Sequence, residues 1–120
     1  MVGKPTVLIA LTAALAGCAE IRLNWAMERV NAVYVDVFYN IECGRPEDLR
    51  ASVRGLVDAL DAAAIAGYSR DPDYQRLLDE TRQTASMLYV EARSEEIDPL
   101  LSLRSRLSAN CQACHDEFRR

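Results

Sequence analysis

Apolar residues recur along this chain at alternating steps of three and four, the spacing that places side chains on one face of an α-helix. The first such stripe predicts a helix A from about Glu20 to Cys43. Further stripes predict helix B from about Pro46 to Ala66, and helices C and D after the Asp-Pro pairs at 71–72 and 98–99. The stripe of helix A consists of Leu23, Met27, Val30, Tyr34, Val37 and Ile41.

Glycine, proline and aspartate residues mark the ends of these predicted helices. Gly44 and Gly67 suit the left-handed position just past a helix end, and Pro46 suits the first turn of the next helix. Asp71 and Asp98 each precede a proline, which is the pattern of an N-cap acid. Four helices of about 20 residues with such short connections run antiparallel to their sequence neighbours. We therefore expect an all-α fold, an antiparallel up-down-up-down four-helix bundle.

The residues ahead of the first stripe have the pattern of an export signal. The apolar segment from Thr6 to Leu15 is too short to span a bilayer as a helix, and Leu15-Ala16-Gly17-Cys18 resembles the bacterial lipoprotein box. We expect residues 1–17 to be removed as a lipoprotein signal peptide and residues 18–120 to form the bundle, with Cys18 carrying diacylglycerol. This predicts a periplasmic protein anchored by lipid to a bacterial membrane. An ordinary signal peptide cut nearby and a short uncleaved anchor are the alternatives.

Composition and charge limit the size and the partners of the protein. The 120 residues, half of them apolar, are enough for one domain and too few for two. The formal net charge is -4 and no basic stripe is present, which argues against nucleic acid as a partner. The outer faces of the predicted helices are rich in arginine and glutamate, which more often indicates plain solvation than a docking surface.

The clearest chemistry lies near the C-terminus, in Cys111-Gln112-Ala113-Cys114-His115. Cys-x-x-Cys-His is the attachment signature of c-type haem, in which two thiols add to the porphyrin vinyl groups and the histidine binds the iron. Positions i, i+3 and i+4 of a helix share one face, so Cys111, Cys114 and His115 could bind the same ring. We expect one covalently bound haem c, with thioether links at Cys111 and Cys114 and His115 as the proximal iron ligand.

The same motif could also be half of a zinc site or a redox dithiol. A structural zinc site normally has four protein ligands, and His115 is the only histidine in the chain. A thioredoxin-like dithiol would follow a β-strand, whereas this motif lies late in a predicted helix. Both alternatives are therefore less favoured than haem attachment.

A four-helix bundle with this motif near its C-terminus resembles the class II c-type cytochromes, the cytochrome c′ family. The run from Cys111 to Arg119 is similar to the family's ending, in which an acid, an aromatic residue and a basic residue follow the histidine. The resemblance implies thioether links at Cys111 and Cys114, iron ligation by His115, and a place for Arg119 beside the haem propionates. A solvated arginine at a helix end is the alternative for Arg119.

Antiparallel topology also predicts which residues lie level with His115. Helix A brings Trp25, Met27 and Val30 to this layer and helix C brings Tyr74, so we expect Trp25, Val30 and Tyr74 to line the haem pocket. The sixth iron ligand is then Met27, another weak group or nothing. In the family, high-spin members cover this position with an apolar residue and low-spin members place a methionine there.

These features predict a monohaem c-type cytochrome of the bacterial envelope, which binds haem and transfers electrons to a redox partner protein. A five-coordinate haem protein that binds NO or CO is one alternative, and a haem-free helical lipoprotein interaction module is an alternative of another class. We do not expect an enzyme, because no acid–base pair or nucleophile accompanies the haem motif.

Two further expectations concern the remaining surface. The family often dimerises through its first two helices, and Val33, Val35 and Phe38 of helix A are compatible with a homodimer if they are exposed, although they could equally pack inside the bundle. Cys43 is the cysteine left over from lipid and haem. It is expected either to be buried and inert or to be available for an intermolecular disulfide.

Overall fold

A computed structural model describes the backbone of residues 3–94 and 96–118 and the side chains of residues 21–94 and 96–118. This part of the chain forms four α-helices and no strand. Helices adjacent in sequence pack against each other, whereas α1 and α4 approach each other much less. The expected all-α four-helix bundle is confirmed. The helices are α1 (Gly3–Glu42), α2 (Pro46–Ala64), α3 (Pro72–Glu91) and α4 (Ile97–Phe118).

Three helix boundaries differ from those expected from the sequence. The backbone of α1 is helical from Gly3, so the predicted export segment and helix A are continuous in this structure. Helix α2 ends at Ala64, because the chain tightens there and the Ala66 amide donates to the Ala63 carbonyl at 3.2 Å. Helix α4 begins at Ile97, so Asp98 lies inside the first turn and is not the N-cap.

The glycine and aspartate residues at the other helix ends have the conformations and contacts expected of them. Gly44 and Gly67 have φ angles of 62° and 57°, in the left-handed region that glycine enters without a steric penalty. The Asp71 carboxylate caps α3 by accepting hydrogen bonds from the backbone N–H groups of Asp73 at 2.8 Å and Tyr74 at 3.3 Å. The turns that place the four helices are therefore encoded locally.

One continuous apolar core runs through the bundle and is built from the inner stripes of all four helices. Burying a leucine or isoleucine side chain contributes roughly 1.5–3 kcal/mol to folding. Gly55 lets α1 pack closely on α2, since a Cβ at that position would lie 3.2 Å from Val33 Cγ1. The largest fully buried side chains are Tyr74, Ile41, Leu49, Leu56, Leu88, Leu107, Val37, Val53 and Thr84.

The polar contacts between described side chains of α1 and α4 lie in the part of α4 that precedes Cys111. The hydroxyls of Tyr34 and Ser108 are hydrogen-bonded at 2.6 Å. Arg104 donates to the Glu42 carboxylate at 3.3 Å and its guanidinium lies 5.3 Å from the centre of the Phe38 ring. The segment of α4 that carries the Cys-x-x-Cys-His motif is therefore supported mainly from the α3 side.

Candidate haem attachment site

The three motif residues lie in the last two turns of α4. Cys114 is only 6% exposed, while Cys111 and His115 are half-buried. The thiols of Cys111 and Cys114 are both free and are not joined as a disulfide. Within the described residues there is no group of three or more histidine, cysteine, aspartate or glutamate side chains that could hold a metal ion. The motif therefore places two unpaired thiols and one imidazole at buried or half-buried positions of the helix.

An aromatic cluster formed by Tyr68, Tyr74 and Phe118 surrounds this end of the bundle. Phe118 packs edge-on against Tyr74 with ring centres 5.3 Å apart and lies 5.1 Å from Tyr68. Tyr68 and Tyr74 are 5.8 Å apart. The cluster joins the end of α4 to the α2–α3 loop and to the first turn of α3, which the antiparallel topology brings to the same level.

Tyr74 connects the aromatic cluster to the end of α2. It is fully buried, and its hydroxyl donates a hydrogen bond of 2.6 Å to the carbonyl oxygen of Ala63. Ala63 and Ala64 are also buried, and their small side chains leave space for the tyrosine ring. Burial raises the pKa of Tyr74 to about 12, with smaller contributions from the neighbouring Cys114 and Tyr68.

The environment of the two thiols keeps them protonated. Burial raises the pKa of Cys111 to about 11, and the proximity of Cys114 adds to this shift. Burial also raises the pKa of Cys114, helped by the negative charge of Glu117. Redox dithiols have the opposite property, an attacking thiol with a lowered pKa. The dithiol alternative therefore finds no support in the electrostatics of the site.

The expected pocket residues of α1 separate into inner and outer positions. Val30 is buried, and Met27 is half-buried and packs against the core. Trp25 is 68% exposed, which corrects the expectation that it lines the pocket. The reason is angular, because residue 25 lies about 200° around the helix from Leu23 and from Met27 although it is level with them along the axis. Tyr74 and Val30 are both buried, and their place in a haem pocket stays a prediction.

The remaining predicted positions are the propionate-binding arginine, the lipidated and the leftover cysteine, and the apolar residues on the outside of α1. Arg119 and the side chain of Cys18 lie outside the described residues. Cys43 is exposed, which corrects the alternative that it is buried. Val35 is exposed, whereas Val33 and Phe38 are half-buried and pack against the core.

Sequence reasoning missed Tyr68 as part of this end of the bundle. Tyr68 belongs to no apolar stripe because it lies in the loop between α2 and α3. The sequence does place Tyr68 directly after Gly67, where helix B was expected to end, and this position indicates that Tyr68 lies at this end of the bundle. The antiparallel topology brings that loop to the level of the α4 C-terminus, so an aromatic residue there can reach Phe118.

The donor set fits covalent haem attachment. Two free thiols stand one helical turn apart, an imidazole follows directly, and the surrounding groups are apolar or aromatic.

A separate cleft of about 470 Å³ lies at the opposite end of the bundle and does not reach the motif. Its lining includes Leu49, Leu100, Arg45 and Arg93. Compared with known proteins, the chain matches no protein-family model, no curated protein and no solved structure.

Proposed function

We propose that this chain is a monohaem c-type cytochrome of the bacterial envelope, held at the membrane by a lipid on Cys18 and active in electron transfer. The observation that carries the proposal is the arrangement of Cys111, Cys114 and His115. Their two free thiols and one imidazole lie at the buried end of α4 in a bundle of the expected topology.

Each residue of the site has a separate role in this proposal. Cys111 and Cys114 hold the group covalently at two points, which fixes its orientation relative to α4. His115 supplies the nitrogen ligand to the iron, and haem supplies an Fe(III)/Fe(II) couple when it is bound. Tyr74 and Phe118 pack edge-on and would form an aromatic wall that limits the access of water to the group. Exclusion of water and the ligand identity are the means by which the chain would set the reduction potential.

The proposal is tested by covalent haem content. The full chain would be expressed in a host competent in cytochrome maturation and examined by a pyridine haemochrome assay. We expect one haem per chain in the wild type and in Cys43→Ser, whose exposed thiol takes no part in attachment. Cys111→Ser/Cys114→Ser should be colourless. Colourless wild-type protein from such a host would contradict the proposal and favour the haem-free interaction module.

A second candidate function is the binding of NO or CO at an open iron coordination position. It is supported by Val30, which is more deeply buried than Met27 and could cover the iron with an apolar side chain. Optical spectra with and without CO separate the two functions. An unchanged low-spin ferrous spectrum supports electron transfer with a sixth ligand, whereas a high-spin spectrum that shifts with CO supports gas binding. If Met27 is that ligand, Met27→Leu should convert the first result into the second.

A further inference from the structure

Helix α1 has two apolar faces on opposite sides. The inner face packs into the core, whereas a second, outer stripe follows three- and four-residue steps through positions 21, 25, 28, 32, 35 and 39 and is interrupted by Glu28. Trp25 is 68% exposed and Ile21 is 48% exposed at the start of the part of α1 whose side chains the structure describes. Val35 and Tyr39 continue this stripe and are also more than half exposed. No described residue of α2, α3 or α4 covers Ile21 or Trp25 to any large extent, so the outer face is free for another surface.

The position of the expected lipid anchor indicates what covers the first part of this face. Position 18 precedes Ile21 by three residues and Trp25 by seven, and α1 is helical through all three positions. Residues at these spacings share one side of a helix. A lipid attached at position 18 would therefore hold this end of α1, with Ile21 and Trp25 within two turns of the anchor, close to the bilayer.

The charges beside Ile21 and Trp25 fit an anionic lipid surface. Arg22, Glu28 and Arg29 are exposed and lie within about one turn of Trp25 on the same side of α1, so two basic residues and one acidic residue surround the ring. Tryptophan is enriched at the headgroup level of membranes, where its ring is partly apolar and partly hydrated. Basic residues at a membrane surface contribute about 1 kcal/mol each through attraction to anionic headgroups.

We propose that an anchor-proximal face of α1, formed by Ile21, Arg22, Trp25 and Arg29, lies against the anionic membrane surface into which the Cys18 lipid inserts. The inference rests on the lipid anchor of the proposed function. It adds an orientation, because α1 then faces the bilayer and α3, which is diagonal to α1 in the bundle, faces away from it.

Hydroxyl-radical footprinting of the lipidated full chain tests this orientation. Trp25 is the only tryptophan, so its oxidation is read without ambiguity. Met87 of α3, which is 46% exposed, serves as the reference within each sample. On vesicles containing phosphatidylglycerol, the Trp25 rate relative to Met87 should fall at least about threefold compared with Cys18→Ser in buffer, since the ring moves into the interface. Arg22→Glu/Arg29→Glu should weaken this protection, and Val90→Glu on the exposed face of α3 should leave it unchanged.

Two results would overturn the inference. One is a lipidated chain on vesicles whose Trp25 is oxidised as fast as in buffer. The other is protection of Trp25 in the Cys18→Ser variant in buffer that grows with protein concentration, which would show that a second copy covers the face. The mass of the N-terminal peptide from the same sample reports the lipid itself. An unlipidated Cys18 would contradict the proposed anchor, whereas a lipidated chain with unprotected Trp25 contradicts only the orientation.

Discussion

Tyr74 is the residue on which most of the packing near the motif depends. Its ring contacts Phe118 and Tyr68, its hydroxyl donates a hydrogen bond to the carbonyl of Ala63, and the neighbouring Cys114 adds to the effect of burial in raising its pKa. A single side chain thus links α2, α3 and α4 where the haem is proposed to attach. We expect removal of this side chain to lower the free energy of unfolding first of all.

The raised pKa of Tyr74 predicts a loss of stability at alkaline pH. Its pKa is 10.0 when unperturbed and about 12 in the folded chain, so the folded state holds the phenolic proton more tightly. The free energy of unfolding should therefore fall as the pH rises from 10 through 12. Tyr74→Phe should cost about 0.5–1.5 kcal/mol at pH 7 through the lost hydrogen bond. It should also lose less stability than the wild type on going to high pH.

Urea unfolding of haem-free protein at neutral pH and near pH 11, followed by far-UV circular dichroism, measures both effects. Tyr39→Phe is the matched control, because Tyr39 is exposed, whereas Tyr74 is buried. Equal losses of stability at high pH in the wild type and in Tyr74→Phe would count against a protected phenol.

The three described thiols should differ in their reactivity. Cys43 is exposed, whereas burial raises the pKa values of Cys111 and Cys114. Because the thiolate is the reactive form, iodoacetamide at pH 8 should label Cys43 first and Cys111 and Cys114 at least about tenfold more slowly. Site-resolved mass spectrometry of haem-free protein gives the three rates. Labelling of Cys111 as fast as Cys43 would mean that the end of α4 is open to solvent.

At the scale of helices and turns, the two left-handed glycines provide a matched pair. Gly44 and Gly67 have nearly the same φ angle, but their surroundings differ. A Cβ at Gly44 would meet nothing within 4 Å, whereas a Cβ at Gly67 would lie 2.7 Å from Leu23 Cδ2. The Gly67 turn is therefore also a packing site for α1, while the Gly44 turn is only a change of chain direction.

This difference predicts the relative cost of two alanine substitutions. Gly44→Ala should destabilise the protein by about 1–2 kcal/mol, which is the cost of a left-handed L-residue. Gly67→Ala should cost more, because Leu23 must move as well. Thermal or urea unfolding of both variants gives the comparison. Equal losses would show that Leu23 shifts freely and that α1 is loosely held at this turn.

The sequence predicted the helices and turns better than the directions of individual side chains. Apolar spacing and the Gly44, Gly67 and Asp71 signals identified the bundle because these are local preferences of the chain. Trp25 is exposed although it is level with Met27, because the level of a residue along a helix does not fix its angle around the axis. Tyr68 was missed because a loop residue has no periodicity. Contacts between side chains of different helices depend on how the helices pack, and the apolar spacing within one helix does not encode that packing.

At the scale of the whole molecule, the core extends without interruption from one end of the bundle to the other. Ile41, Leu49 and Leu88 belong to the same apolar cluster as Tyr74 and Cys114. A cavity at one end should therefore reduce the stability of the whole domain and should not loosen that end alone. The described chain is expected to unfold as one cooperative unit.

Leu88→Ala tests this cooperativity. Leu88 is fully buried in α3, and its truncation should cost about 2–5 kcal/mol through lost burial and a residual cavity. Hydrogen exchange should show the same loss of protection in slowly exchanging amides of α2 and of the distant end of α4. Val90→Ala, on the solvent side of the same helix, should cost little. A loss confined to the neighbours of Leu88 would indicate separate folding units.

The sparse contact between α1 and α4 bears on the order of events during biogenesis. Beyond Ser108 the motif segment is held mainly by α3 and by the aromatic cluster, so α4 can leave its place without separating α1 from α2. Cys114 is too buried in the closed bundle to meet a large enzyme. If the proposed haem is attached, we therefore expect its attachment to take place while α4 is still undocked, with closure of the bundle as the final step.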